Sequence, residues 1–323
     1  MKKISFVIPV YNEQENILNT YEKICQLADE LSSYKFEFIF TDNRSTDESF
    51  GMLSLLGKKD DRVRVIRFSR NFGYQKSIYT GYMAATGDAI IQLDCDLEDP
   101  PEVCKEFIDR WENGADVVYG VRLKRQESWF KTFQRKMFYR FIDLISKEKL
   151  PHDAGDFRLI DRRVADVLSE YRDSSPYLRG TLAVMGFKQE SVEYERDQRF
   201  AGTSKFSFSA NLRLAMDGII NHSTLPLKFA SFVGFFFTAL SILSMVFYLI
   251  LRLTNSHMPA GFSTTVILLL FGIGLNSLFI GIMGEYMANL YSHIKSGPIT
   301  VIDQTCNFSD EDLNDIKDKL RIN

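Results

Sequence analysis

The sequence predicts an α/β fold, a mainly parallel sheet domain followed by interfacial helices and a two-helix transmembrane hairpin. Three observations lead there. Short apolar runs alternate with helical stretches through the first part of the chain. Charged residues almost vanish from Phe229 to Gly284. Two charge-poor runs within that interval are each long enough, as helices, to cross roughly 30 Å of hydrocarbon.

The alternation is read in order. Ile4 to Val10 is a buried strand, and Glu13 to Leu31 an amphipathic helix. Strands follow at Phe36 to Thr41, Arg62 to Phe68, Ala89 to Leu93 and Ala115 to Gly120. Short apolar strands separated by helices imply parallel pairing with both faces covered. In such sheets ligands bind beyond the C-terminal strand ends. The span from Lys228 to Arg252 and a second from about Ser263 to Gly284 are joined by a short loop, Thr254 to Pro259, without Lys or Arg. Basic Lys228 and Lys295 flank the pair, so the positive-inside rule puts both ends in the cytoplasm. Two further amphipathic stretches are expected at the bilayer interface. One carries Phe130, Phe133, Met137, Phe141 and Leu144 bordered by Lys131, Arg135, Lys136 and Arg140; the other carries Phe208, Leu212, Ala215 and Ile219. The expected division is a catalytic domain 1–205, a juxtamembrane helix 206–228, membrane helices 229–253 and 263–287, and a cytoplasmic tail 288–323.

Composition narrows the class. A net charge of −3 over 323 residues excludes a strongly basic nucleic-acid binder, so anion binding must be local. The four cysteines lack metal-ligand spacing and read as reduced thiols. Met1-Lys2-Lys3 leads straight into the first strand without signal-peptide character, so the first domain is expected to stay in the cytoplasm.

The chemistry sits at predicted strand ends. The first strand ends in Pro9-Val10-Tyr11-Asn12-Glu13, the second in Thr41-Asp42-Asn43-Arg44-Ser45. Either alone is a turn and helix cap. At one edge of adjacent strands they suggest a nucleoside pocket, with Asp42 accepting the imide N–H of a base and Glu13 a ribose hydroxyl. The fourth strand leads into Asp94-Cys95-Asp96-Leu97-Glu98-Asp99-Pro100-Pro101-Glu102. Two carboxylates one residue apart repel each other unless a cation bridges them, and Mg²⁺ or Mn²⁺ would also bind a diphosphate. Arg122, Ala154-Gly155-Asp156-Phe157-Arg158 and the stretch Tyr194 to Lys205 follow. The last packs Arg196, Arg199, Lys205, Thr203 and Ser204 around Gly202, a composition suited to a phosphate. Its place just before the hairpin makes a lipid phosphate the natural ligand.

Taken together these motifs, with Ser69-Arg70-Asn71-Phe72-Gly73 and Gly284-Glu285-Tyr286, resemble family 2 glycosyltransferases of the polyprenyl-phosphate type, including dolichyl-phosphate mannose synthases and bactoprenol glucosyltransferases. The resemblance runs from Ile4 to about Ile302. It implies a Rossmann-like GT-A domain, inverting transfer and a divalent metal, Mg²⁺ or Mn²⁺, held by Asp94, Asp96 and Glu98. It implies a nucleotide-sugar site at Pro9, Tyr11, Glu13, Asp42 and Asp94, and an acceptor-phosphate site at Arg122, Arg199, Ser204 and Lys205. Asp156 falls at the candidate base position; it could instead orient Arg158 or a sugar hydroxyl. The expected donor is a UDP-sugar, glucose first, with UDP-GlcNAc, UDP-galactose and GDP-mannose open. The expected acceptor is undecaprenyl phosphate, in a bacterial inner membrane, by a homo-oligomer that contacts membrane lipid. Two departures stand out. The usual Asp-Asp-Gly-Ser becomes Asp42-Asn43-Arg44-Ser45, and Asp-Leu-Gln becomes Asp96-Leu97-Glu98. No Gln-x-x-Arg-Trp occurs, so processive polysaccharide synthases fit poorly. A sensor or scaffold without catalysis would be expected to have lost the paired acids, and both are present.

Overall fold

A computed structural model describes residues 1–123, 154–171, 173, 176–195, 261–294 and 297–322, together with 230, 232–237, 239, 240, 243, 246 and 250. The chain forms two compact units. One joins Met1–Ser204 to Ser296–Asn323; the other is Lys205–Lys295.

The first unit begins with β1 (Lys3–Val10), α1 (Ile17–Glu30), β2 (Lys35–Asp42), α2 (Ser49–Lys59), β3 (Val63–Phe68), α3 (Tyr74–Ala84) and β4 (Ala89–Gln92). A short 3₁₀ turn at Pro101–Val103 leads into α4 (Cys104–Glu112) and β5 (Val117–Arg122). Then come β6 (Ala154–Asp161), α5 (Arg162–Glu170), α6 (Leu178–Val184) and β7 (Gln189–Tyr194). The described sheet has eight strands in the order β7-β5-β6-β4-β1-β2-β3 and, at the far edge, β9 (Ile302–Cys306). Only β6 and β9 run antiparallel to their neighbours. The strand order reverses between β1 and β4, which opens the crevice where ligands of such sheets bind.

One proline shows how sequence and register agree. Pro9 lies in β1, a central strand, where proline normally removes a ladder hydrogen bond. The β1–β4 pairing ends at Val7↔Gln92, and the Leu93 amide still donates to the Val7 carbonyl at 3.0 Å. Pro9, two residues on, faces the same side beyond the end of β4. No ladder bond is lost.

Alternation sorts the strand side chains into two cores. Phe6, Ile8, Phe38, Phe40, Val65, Ile91 and Phe157 join α1, α2 and α4 on one face. Val7, Ile39, Ile66, Ile90, Val117 and Ile160 join α3, α5 and α6 on the other. Helix α3 lies so close to β1 that a Cβ on Gly81 would fall 2.2 Å from Val7 Cγ1.

The five strands expected from sequence are present, and the structure adjusts three other expectations. The first helix starts at Ile17 rather than Glu13 because residues 12–14 bond to the neighbouring loop instead. Strands β6 and β7 went unread: in β6 the polar Asp156 and Arg158 share a face with Ile160, which hides the apolar pattern. The segment read as a cytoplasmic tail returns to the sheet. Strand β9 pairs with β3, and α8 (Asp310–Lys319) packs on α3 through Ile316 and Leu320. A capping box at Ser309 and Asp312 starts α8. Two short strands, β8 (Gly297–Pro298) and β10 (Arg321–Ile322), pair antiparallel beside it.

The second unit contains α7 (Phe262–Ile294), 33 residues long, or about 50 Å at helical rise. Its stretch Phe271–Ala288 is the one described segment long and apolar enough to cross a membrane. Residues 230, 232–237, 239, 240, 243, 246 and 250 are also helical. Phe237 packs on Phe271 with ring centroids 5.3 Å apart, and a Cβ on Gly234 would lie 3.4 Å from the Phe279 ring. Numbers rise along one segment as they fall along the other, so the two run antiparallel. Both interfacial stretches expected from sequence, and the loop 254–259, lie outside the described residues.

Candidate active site

The site collects at the C-terminal ends of β1, β2 and β4 and at the facing start of β6. The loops after β1 and β2 are stitched together. The Asn12 amide donates to Ser45 Oγ at 3.0 Å, the Thr46 amide to Asn12 Oδ1 at 2.8 Å, and the Glu13 amide to Ser49 Oγ at 3.0 Å. Glu13 accepts from Asn16 Nδ2 at 2.5 Å, while Tyr11 is 42% exposed. Asn12 and Arg44 take left-handed φ values of 56° and 62°.

Those loops explain the departures from the familiar motif. Asn43 Oδ1 accepts from the Phe72 amide at 2.8 Å and so ties the Ser69–Gly73 loop to the end of β2. Arg44 holds a backbone shape that favours glycine and pairs with Asp303 of β9.

Asp42 is fully buried. Its Oδ1 accepts from the Ser45 amide at 3.1 Å, while Oδ2 has no hydrogen bond. Arg67, its register partner on β3, brings Nε to 3.3 Å of that oxygen without hydrogen-bond alignment. Burial pushes the Asp42 carboxyl above its ordinary range despite the Ser45 contacts and Arg67. The orphaned Oδ2 is an acceptor that a donor N–H would satisfy.

Asp94 follows β4. Its Oδ1 accepts from Tyr74 Oη and, at 2.8 Å, from Gln92 Nε2. Burial, then the nearby Asp99, Asp96 and Asp156, push its carboxyl up to about 7 against the Tyr74 contact. Asp96 is 8% exposed and accepts from the Glu98 amide at 3.2 Å, in a turn where Leu97 has φ 54°. Among the described residues no group of three or more His, Cys, Asp or Glu is placed to hold a metal. The expected trio of Asp94, Asp96 and Glu98 is not among such groups, and one Asp96 oxygen accepts from the Glu98 amide. The pair Asp94 and Asp96 fits Mg²⁺ or Mn²⁺ that takes two protein carboxylates and fills its shell with phosphate and water oxygens.

Arg122, expected at the acceptor phosphate, is half-buried and paired within the protein. Its Nη2 donates to Asp99 Oδ2 at 3.3 Å and its Nε to Tyr194 Oη at 3.2 Å, while Tyr194 Oη donates to Asp99 Oδ1 at 2.6 Å. Asp156 is 6% exposed and clamped by Arg179, Nε to Oδ1 at 2.9 Å and Nη2 to Oδ2 at 2.7 Å. Burial opposes its charge, but Arg179, with Arg158 and Gln75 behind it, holds the carboxyl below its ordinary range. Arg158 does not touch Asp156; its Nη2 donates to the Gly155 carbonyl at 2.7 Å. Arg199, Ser204 and Lys205 lie outside the described residues.

Sequence reasoning missed Tyr74, Gln92, Asp99, Arg67 and Arg179. The first three adjoin motifs that were read: Tyr74 follows Gly73, and Gln92 and Asp99 flank the paired acids. Arg67 and Arg179 carry no local signal, since only the strand register and the α6 fold bring them in.

The model of a protein family described as glycosyl transferase family 2 matches residues 5–168, from β1 through α5 and across Asp42, Asp94, Asp96 and Asp156. The chain belongs to glycosyl transferase family 2. It is a glycosyltransferase, and it moves a sugar from a nucleotide-sugar donor. The uncharacterized glycosyltransferase YkcC of Bacillus subtilis is 38% identical over 302 residues, covering 93% of each chain. The SfII prophage-derived bactoprenol glucosyl transferase of Shigella flexneri is 33% identical over 301 residues, covering 93% of this chain and 97% of its own. A solved structure of glucosyl-3-phosphoglycerate synthase from Mycobacterium tuberculosis with Mn²⁺, UDP and phosphoglyceric acid covers 68% of this chain and 76% of its own. Its TM-score of 0.48 at 16% identity is too distant to argue from.

Proposed function

We propose that this glycosyltransferase moves a hexose, glucose first among candidates, from a UDP-sugar to a polyprenyl phosphate such as undecaprenyl phosphate, with inversion, at the cytoplasmic face of a bacterial inner membrane. One observation carries the membrane half of this reading. The chain leaves the catalytic unit after Ser204, runs through the antiparallel apolar helices, and returns at Ser296 to complete the same sheet. An acceptor anchored in the bilayer suits an enzyme whose sheet is interrupted in sequence by a unit with a helix long and apolar enough to cross a membrane. The similarity to bactoprenol glucosyl transferases over nearly the whole of both chains supports the same acceptor class.

The reaction balances without an added base. An oxygen of the ionised acceptor phosphate attacks the anomeric carbon, the bond from that carbon to the diphosphate oxygen breaks, and UDP leaves with the bonding pair. Because the nucleophile is already an anion, the protein contributes positioning and charge neutralisation rather than proton removal. Asp94 and Asp96 would hold a divalent cation, which as a Lewis acid stabilises the departing diphosphate. Pro9, Tyr11, Glu13 and Asp42 line the nucleoside side, with Asp42 Oδ2 taking the base N–H. Arg122, Arg199, Ser204 and Lys205 serve the acceptor phosphate. Asp156 acts here as an anchor rather than a base.

The test offers the full-length protein, in detergent or nanodiscs, UDP-glucose, UDP-GlcNAc, UDP-galactose and GDP-mannose with undecaprenyl phosphate and Mg²⁺ or Mn²⁺. Formation of polyprenyl-phosphate hexose is expected, with a drop of orders of magnitude in Asp96→Asn and an unchanged unfolding temperature. Absence of lipid-linked product from every donor overturns the acceptor. Full activity in chelator overturns the cation.

A further inference from the structure

We infer that Arg179 is an anion-binding residue of the transfer site, taking a phosphate oxyanion of substrate, and that Asp156 is the residue that positions it. The inference rests on the transferase reading above and gives the site a cation that no sequence motif marks.

The geometry separates anchor from working edge. The carboxylate of Asp156 is 6% exposed, whereas the Arg179 side chain is 44% exposed. Arg179 spends Nε and one Nη2 hydrogen on Asp156. A guanidinium carries five N–H donors, and no described contact engages Nη1. A cation whose only task is to fasten a helix would more naturally be enclosed with its donors satisfied; this one is fixed at its inner edge and open at its outer edge. A bidentate clamp on one side leaves the fork pre-organised on the other.

Its surroundings suit an incoming anion. Asp156 and Arg158 are neighbours on β6, and Arg158 is register partner to Gln92, so Asp156 lies toward the Asp94 end of β4. Tyr74, at the start of α3, donates its hydroxyl to Asp94. Gln75 Oε1 accepts from the Leu178 amide at 3.2 Å, which fixes the start of α6, and with it Arg179, against the start of α3. Arg158, its neighbour on β6, is engaged elsewhere, with the Gly155 carbonyl at 4% exposure. A substrate phosphate brought to Asp94 and Asp96 by a cation needs a fixed positive group on its other side. Arg179 stands where that group is wanted.

The phosphate has two possible sources, the donor diphosphate and the acceptor monophosphate, and the experiment tells them apart. Full-length wild type, Arg179→Met and Arg179→Lys are titrated calorimetrically with UDP plus Mg²⁺ and with farnesyl phosphate, and their thermal unfolding is recorded. A loss of roughly tenfold or more for either ligand in Arg179→Met, partly restored in Arg179→Lys, is expected, because a charge-assisted contact to phosphate is worth at least that factor. Loss for farnesyl phosphate alone identifies the acceptor; loss for UDP alone identifies the donor. Unchanged affinity for both ligands overturns the inference. So does an equal loss for both that follows a lowered unfolding temperature in Arg179→Met and vanishes in a well-folded Arg179→Lys. Asp156→Asn, which weakens the clamp but keeps its shape, should shift the same ligand in the same direction by less. Failure of wild type to glycosylate undecaprenyl phosphate would sink the acceptor proposed above, while the two binding titrations still judge Arg179.

Discussion

At Arg44 the sequence and the backbone pull apart, and the disagreement is measurable. A left-handed φ of 62° suits glycine, and a non-glycine residue held there costs on the order of 1 kcal/mol. The Arg44–Asp303 pair that offsets the cost joins two partly exposed side chains, 44% and 38%, and such pairs contribute about 0–1 kcal/mol. Arg44→Gly should therefore leave the unfolding temperature unchanged or raised. Arg44→Val, which adds β-branching to the same φ, should lower stability by about 1–3 kcal/mol. Equal destabilisation by both would mean that the ion pair, not the backbone, governs this turn. The same loop holds Asn43, whose side chain secures Phe72 rather than reaching toward a nucleoside. A substitution that looks like a loss of binding chemistry in sequence is, in three dimensions, a loop anchor.

Among the elements, α3 carries the most information about the site. Its first turn supplies Tyr74 and Gln75, and its middle rests on β1 at Gly81. Helix propensity alone favours alanine over glycine by about 1 kcal/mol. Contact geometry says the reverse, since the new methyl would lie 2.2 Å from Val7 Cγ1 and overpacking typically costs about 1–3 kcal/mol. Gly81→Ala should lower the unfolding temperature. It should also weaken donor binding, because a helix lifted from β1 takes Tyr74 away from Asp94. An unfolding temperature that rises would show that α3 can shift without penalty. The strands that sequence disclosed, β1 to β5, are those rich in apolar and β-branched residues. Strand β6 was hidden because its polar Asp156 and Arg158 break the apolar pattern; Asp156 faces Arg179 at the start of α6.

Across the whole molecule, one buried polar cluster joins both ends of the catalytic unit. Glu37, 2% exposed, accepts from Lys3 Nζ at 2.7 Å, Ser5 Oγ at 2.5 Å and the Thr86 amide at 2.6 Å. Arg64 links it to the last helix through Asp312, at 3.3 Å and 2.8 Å. Burial works against the Glu37 charge, yet Lys3, Ser5 and Thr86 outweigh it and hold the carboxyl below its ordinary range. A depressed folded-state value means that the stabilisation is fully present above the unfolded value, near 4.3, and is lost as pH falls through the folded value. The wild-type unfolding midpoint should thus fall below about pH 4.3, and Glu37→Gln should flatten that limb while lowering stability at neutral pH. Parallel curves for the two proteins would remove Glu37 from the acid response.

By itself the sequence determined the family, the five central strands, the paired acids and the apolar run that α7 forms, because each is written in contiguous residues through periodicity, charge or a local motif. Tertiary structure decided what depends on pairs far apart in the chain. The last residues were read as a tail because nothing local marks them as an edge strand; only pairing of Thr305 with Ile66 and Gln304 with Arg67 makes them one. At the paired acids, a turn with Leu97 in the left-handed region lets the Glu98 amide donate to Asp96, a contact no local pattern announces. Arg67 and Arg179 entered the site because strand register and a clamped helix place one beside Asp42 and fasten the other to Asp156. Chemistry carried by neighbours in sequence is legible at once, whereas charges that meet across the sheet acquire partners only when the chain has folded.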